Sequence, residues 1–148
     1  MNAADPRAYF DTSVIAPLYR TEALTTTAES LLQQYRPVIS LLTEVELAST
    51  VARWVRMNEL DEAQAARVEN TFAEDLRLAV YERAELQDRN YWRARTWLQQ
   101  RNTGLRTLDA LHLALAVENG WPLITADQQL HEAARALNAQ SSLAQATP

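Results

Sequence analysis

The chain has 148 residues, 47% hydrophobic and 22% charged, a composition that suits one globular domain with a full core. Its net charge of −5 argues against a passive nucleic-acid coat protein, and the absence of cysteine excludes a disulfide framework and any thiolate metal site. Glycine occurs only at Gly104 and Gly120, so there is no glycine-rich phosphate loop, and no nucleotide cofactor held that way is expected.

No apolar run approaches the roughly 18 residues of a membrane span, so no membrane association is expected. The opening MNAADPRAYF lacks the basic-then-apolar layout of a secretory signal. A reducing cytoplasm fits these features. All 14 basic residues are arginine, a bias that genomic base composition explains.

In chain order, residues 7–10 form a short extended run that predicts a strand. Asp11, Thr12 and Ser13 are all capping types ahead of a helix over 14–19, with Pro17 close enough to its start to be tolerated. Residues 25–34 read as a second helix, with Ala28, Leu31, Leu32 and Tyr35 on one face. A proline-led apolar run at 37–40 predicts the next strand. A long helix over 42–57 follows, with an expected seam of Leu42, Val45, Ala48 or Ser49, Ala52 and Val55. Another helix covers 61–74, with Leu60, Val68 and Phe72 at fourfold spacing.

Residues 76–80 alternate and then turn apolar, which predicts a third strand. A helix over 85–101 follows, with Tyr91, Ala94 and Leu98 as its seam. The densest stretch is 105–130. Leu108, Leu111, Ala114 and Leu115 mark a helix, Asn119-Gly120 stops it, and Trp121-Pro122 bars its continuation. Leu123-Ile124 then reads as a strand, and 128–137 as a final helix. The tail from 138 to 148 is small and polar with Leu143 as its apolar anchor, so a frayed end or a weak edge strand is expected. Strands alternating with helices imply an α/β fold, with a parallel sheet covered on both faces by right-handed crossovers.

Four acids recur at one type of place. Asp11 and Asp127 follow strands directly, while Glu46 and Asp109 lie in the first turns of helices. Singly, each has a local explanation. Asp11 and Asp127 can cap helices, Asp109 suits the positive end of a helix dipole, and Glu46 can face water. If the sheet is parallel, strand exits and the following helix starts share its carboxyl edge, where ligands of such folds gather. Carboxylates converging there repel unless cations neutralise them, and hard oxygen donors without His or Cys suit Mg²⁺ or Mn²⁺.

Four segments carry a resemblance: YFDTSVIAPLY, SLLTEVELASTVAR, LRTLDALHLALA and PLITADQQLHEAARAL. In this order they resemble the PIN-domain ribonucleases, and most closely the VapC toxins of bacterial toxin–antitoxin pairs. The resemblance implies a PIN-like α/β/α sandwich around a short, mostly parallel sheet of four to five strands. It also implies a metal-dependent endoribonuclease with a VapB-like antitoxin partner and a homodimeric state. Carried over by position, Asp11, Glu46, Asp109 and Asp127 are the catalytic and metal-binding acids. Thr12, Ser13 and Thr125 are the supporting hydroxyls. Gln128 and Gln129 stand where some members place a further acid, which puts a fifth ligand in doubt.

An acidic site that cleaves RNA still needs a basic surface. Half of the arginines lie between Arg77 and Arg106, and Arg89, Arg93, Arg95 and Arg106 are the candidate RNA contacts, with Trp92 for stacking. A solvated helix face explains the same run equally well, and Trp92 and Trp97 also suit a dimer or antitoxin contact. His112 reads as a satisfied, semi-buried histidine and His131 as a surface one. Two further readings stay open: a catalytically silent PIN-like domain that binds RNA or protein, and a DNA-directed nuclease, which this chain is short for.

Overall fold

The structure, a computed structural model, describes residues 5–148. Its central strand is β1 (Arg7–Phe10), of which every residue but the first is buried. Around it lie β2 (Arg36–Ile39), β3 (Glu82–Arg83), β4 (Leu123–Thr125) and β5 (Ser141–Leu143), in the order β3-β2-β1-β4-β5 with every pairing parallel. From β1 the chain steps outward to β2 and β3, then returns to the other side of β1 for β4 and β5. The strand order therefore reverses between β1 and β4, and a parallel sheet opens a crevice beyond its carboxyl end at such a point.

Strand periodicity sends alternate side chains to opposite faces. Ala8, Phe10, Ile39 and Ile124 enter one core with Leu47, Val51, Val68 and Phe72. Tyr9, Val38 and Leu123 enter the other with Ala94, Trp97, Leu113 and Leu130. The first core is covered by α1 (Thr12–Ile15), a following 3-10 turn (Ala16–Leu18), α2 (Thr25–Gln34), α3 (Leu41–Arg56) and α4 (Glu62–Arg77). The second is covered by α5 (Asp88–Gln100), α6 (Thr107–Glu118) and α7 (Gln128–Ala136). Helices change face where the strand order reverses, as right-handed crossovers require. The expected α/β/α sandwich is present.

Four local expectations are corrected. Residues 76–80 form no strand: α4 runs through Arg77, and the third strand is the two-residue Glu82–Arg83. The run AEDLRL consists mainly of good helix formers, and its apparent alternation marks the last helical turn. Helix α3 is rotated from its expected seam. Thr43, Leu47, Val51 and Trp54 are buried, while Val45 is 69% exposed. Trp54 is the helix's largest apolar side chain, and turning it inward, with Arg20 over its ring at 5.0 Å, carries Leu47 and Val51 with it.

In α5 the buried residues are Asn90, Ala94 and Trp97, and Tyr91 is exposed. Asn90 turns in because its side-chain oxygen accepts the Gln87 N–H at 2.7 Å, closing a capping box. Trp97 is thus a core residue lying beneath Arg93, with no exposed face for a partner. In α6 every residue from Ala110 to Ala116 is buried, whereas Leu108 is exposed. A helix apolar on all sides is one enclosed on all sides.

The polar tail supplies β5, whose register with β4 pairs Leu123 with Ser141 and Thr125 with Leu143. His131 is half-buried, and its Nδ1 lies 2.8 Å from Ser141 Oγ, tying α7 to this strand.

Helix α4 ends with Ala79 in the left-handed region (φ 56°), where its N–H reaches Leu76 O and the Val80 N–H reaches Asp75 O. This is a Schellman ending with a Cβ where glycine normally stands. Ala79→Gly should therefore stabilise the fold by about 0.5–1 kcal/mol, the left-handed strain relieved less the added unfolded-state entropy. Thermal unfolding should show a midpoint raised by a few degrees.

Candidate active site

Helix α1 begins directly where β1 ends, and Asp11 is the hinge between them. Its N–H donates to Ile124 O of β4 at 3.1 Å. It occupies the N-cap position, yet its carboxylate makes no capping bond. Instead, Oδ1 accepts from Ser13 Oγ at 2.5 Å and Oδ2 accepts from Thr125 Oγ1 at 3.0 Å. Each hydroxyl also accepts a backbone N–H from beyond β4: Ala126 N–H reaches Ser13 Oγ at 2.8 Å, and Asp127 N–H reaches Thr125 Oγ1 at 3.0 Å. Ser13 and Thr125 thus clamp Asp11 to the end of β4, using the donor and acceptor capacity of each hydroxyl.

Asp11 is only 6% exposed. Burial pushes its carboxyl up to about 6, the Ser13, His112 and Thr125 interactions pull the other way, and the Glu46 charge adds to the rise. No cationic side chain of the described residues forms an ion pair with it.

Glu46 reaches the same edge from α3. It accepts from Thr12 Oγ1 at 3.0 Å and is bonded by His112 Nε2 from α6. Burial alone would raise its carboxyl, but the His112 contact and the Thr12 hydroxyl outweigh that and lower it. His112 is 1% exposed, deeper than the semi-buried position expected of it. Its Nδ1 lies 2.6 Å from the Tyr9 hydroxyl, which lies 2.7 Å from Ser40 Oγ. A buried chain therefore runs Ser40–Tyr9–His112–Glu46–Thr12 and joins β1, α6 and α3. Desolvation drives the Tyr9 hydroxyl well above its ordinary value, so it remains a neutral link.

The remaining acids form a second pair. Asp127 caps α7, its Oδ1 accepting the N–H groups of Gln129 (2.9 Å) and Leu130 (3.2 Å), which leaves Oδ2 for other partners. Asp109 lies in the first turn of α6. Burial raises its carboxyl, Arg106 opposes this, and the nearby Asp127 charge adds to it. Arg106 Nε lies 3.5 Å from Asp109 Oδ2, and its Nη2 lies 3.8 Å from Asp127 Oδ2.

Asp11, Glu46, Asp109 and Asp127 all line one open cleft of about 520 Å³ beyond the carboxyl edge of the sheet. Among the described residues, however, no three Asp, Glu or His side chains are arranged as they stand to hold a metal ion. The donor set nonetheless fits a hard divalent cation. It offers carboxylate oxygens in one cleft, one of them buried without a cationic partner and with its acidity suppressed accordingly.

Of the candidate RNA contacts, only Arg106 lines this cleft; Arg89, Arg93 and Arg95 lie on α5 outside it. Sequence reasoning passed over Arg53, which lines the cleft, and the connection of Tyr9 and His112 to Glu46. The signal for His112 was its place one turn after Asp109 on an otherwise apolar helix, where a polar side chain needs a buried partner.

By sequence, residues 8–136 match the family described as PIN domain. No curated protein matches the chain. Among solved structures, FitAcB from Neisseria gonorrhoeae is similar at 19% identity and a TM-score of 0.64, covering 90% of this chain and 95% of that one. VapC20 of Mycobacterium tuberculosis, described as a Sarcin-Ricin loop cleaving toxin, is similar at 22% identity and a TM-score of 0.62, covering 85% and 94%. A toxin–antitoxin complex from Klebsiella pneumoniae is similar at 20% identity and a TM-score of 0.60, covering 82% and 88%. At these identities the likeness is one of fold.

The raised pKa of Asp11 has a thermodynamic consequence. Its ordinary value is 3.8 and its folded value about 6, so the folded state binds the proton more tightly than the unfolded chain. The contribution of this group to stability is therefore fullest below about pH 4 and is lost as pH rises towards 6. Above that range Asp11→Asn removes a buried charge and should raise stability by about 1–2 kcal/mol, allowing for one weakened hydrogen bond. Thermal unfolding without divalent ions should show the variant melting higher at pH 7.5, with the gain shrinking at pH 4.

Proposed function

The chain belongs to the PIN domain family, and on that premise we propose that it is a metal-dependent endoribonuclease, the toxin of a VapBC-type toxin–antitoxin pair acting in the cytoplasm. The observation that carries this reading is the buried, hydroxyl-clamped Asp11 at the strand-order reversal, facing one cleft with Glu46, Asp109 and Asp127. A cap would have spent the Asp11 carboxylate on backbone N–H groups, and here it does not. The similar structures described as toxins or toxin–antitoxin complexes support the toxin half of the proposal.

Asp11, Glu46, Asp109 and Asp127 are the residues that would hold Mg²⁺ or Mn²⁺. Such an ion, when bound, supplies Lewis acidity towards a phosphodiester and lowers the pKa of a bound water. The chain's own contribution is to fix the acids before substrate arrives. Ser13 and Thr125 set the Asp11 carboxylate, while Thr12 and His112 set that of Glu46. Asp127 keeps one oxygen on the α7 cap and turns the other towards Asp109 and Arg106. Arg106, at the cleft, is the first choice for an RNA phosphate, with Arg89, Arg93 and Arg95 as a more distant basic surface. A VapB-like antitoxin and a second copy of the chain are the proposed protein partners.

The test is cleavage of total RNA by the purified protein with Mg²⁺ or Mn²⁺. Asp109→Asn should keep its circular dichroism spectrum and lose at least about 100-fold in rate, the loss typical when a group stabilising transition-state charge is removed. Full cleavage by this variant would contradict the assignment of the site, and full cleavage by the wild type in EDTA would contradict the metal dependence. Retained RNA binding without any cleavage would favour a silent binding domain instead.

A further inference from the structure

Arg106 is an arginine in an electrostatically awkward place. It is the N-cap residue of α6, where the positive end of the helix dipole repels a cation. Its guanidinium nevertheless bridges Asp109 of the same helix and Asp127 of α7, at 3.5 and 3.8 Å. Local helix energetics do not favour that position, so the two acids must supply the attraction. The acid side chains are 18% and 31% exposed, whereas that of Arg106 is 74% exposed. A water-washed guanidinium over two more sheltered carboxylates makes a contact that exchanges easily.

We propose that Arg106 is a displaceable counter-ion, which occupies Asp109 and Asp127 until a divalent cation takes them and then turns to a phosphate of the RNA. This rests on the metal-dependent nuclease reading and deepens it. The Asp127 charge lies close enough to Asp109 to hold that carboxyl up, and a single guanidinium stands against both acids. A divalent ion between them would do the same more strongly, so the two cations compete for the same oxygens. Arginine suits the second role as well, because its planar fork matches phosphate oxygens and its charge cannot be lost.

Arg53 provides the control. It lines the same cleft but forms no ion pair with any of the four acids. A general field effect would make removal of either arginine favour metal binding alike, whereas direct competition singles out Arg106.

The experiment is calorimetric titration of the full chain with MnCl₂ alone, comparing wild type, Arg106→Ala, Arg106→Gln and Arg53→Ala. The two Arg106 variants should bind Mn²⁺ about 3–5-fold more tightly than wild type, as expected for release of an exposed ion pair, and Arg53→Ala should match wild type. In RNA cleavage, Arg106→Ala should raise KM several-fold while leaving kcat within a small factor. Equal Mn²⁺ affinity in wild type and both Arg106 variants would overturn the counter-ion role and leave the nuclease reading intact. An equal gain in Arg53→Ala would reduce Arg106 to part of a general field and overturn it too. No Mn²⁺ binding by any of the four proteins would overturn the metal reading itself, and the counter-ion role with it.

Discussion

A buried carboxylate at the exit of the central strand is the constraint from which the rest of this molecule follows. Asp11 stands where strand order reverses, flanked by β2 on one side and β4 on the other. Leaving a charge there without a cation is costly, and burial accordingly pushes its pKa up to about 6. The protein offsets part of it with the Ser13 and Thr125 hydroxyls, which also take the two N–H groups that follow β4. The same four side-chain and backbone bonds that soften the charge therefore lock β1 to β4. Geometry at the site and order in the sheet are one set of interactions.

The second constraint is the chain of polar groups from Ser40 to Thr12. A buried histidine between a tyrosine and a glutamate is tolerable only when each member has a partner, since partly satisfied networks are costly. Here the partners come from β1, α3 and α6, so the position of Glu46 is tied to the packing of helices on both faces of the sheet. Asp109 and Asp127 are held differently. They are balanced by an exposed arginine rather than by hydroxyls and a buried histidine. One acid pair is held by buried partners within the fold, and the other by a single ion-pairing side chain at the surface.

The alternation of strand and helix was legible from proline, glycine and hydrophobic period, and with it the parallel sheet and the shared edge of the four acids. What misled were patterns decided by packing. The period in α3 admitted two seams one residue apart, and only the burial of Trp54 chooses between them. Leu76 and Leu78 alternate like a strand, yet the surrounding helix formers carry α4 through Leu76 to a C-cap at Leu78. Tyr91 looked like core because it shares a helical seam with Ala94 and Leu98, whereas the capping bond of Asn90 turns that face outward. At the site, Asp11 read locally as a cap because its neighbours are capping types. That its carboxylate goes to Thr125, 114 residues away, is a tertiary fact no local pattern holds. His112 was rightly read as satisfied, but its partner is a site acid, and a sequence does not show partners.

The central claim is that the cleft beyond β1 and β4 is a divalent-cation site. Anomalous diffraction at the manganese edge, from crystals of the full chain equilibrated with MnCl₂, addresses it most directly. The account expects a peak within bonding distance of the Asp11 and Asp109 carboxylates, with Arg106 swung away from Asp109. A cleft without anomalous signal at saturating Mn²⁺, with Arg106 still bridging Asp109 and Asp127, would contradict it.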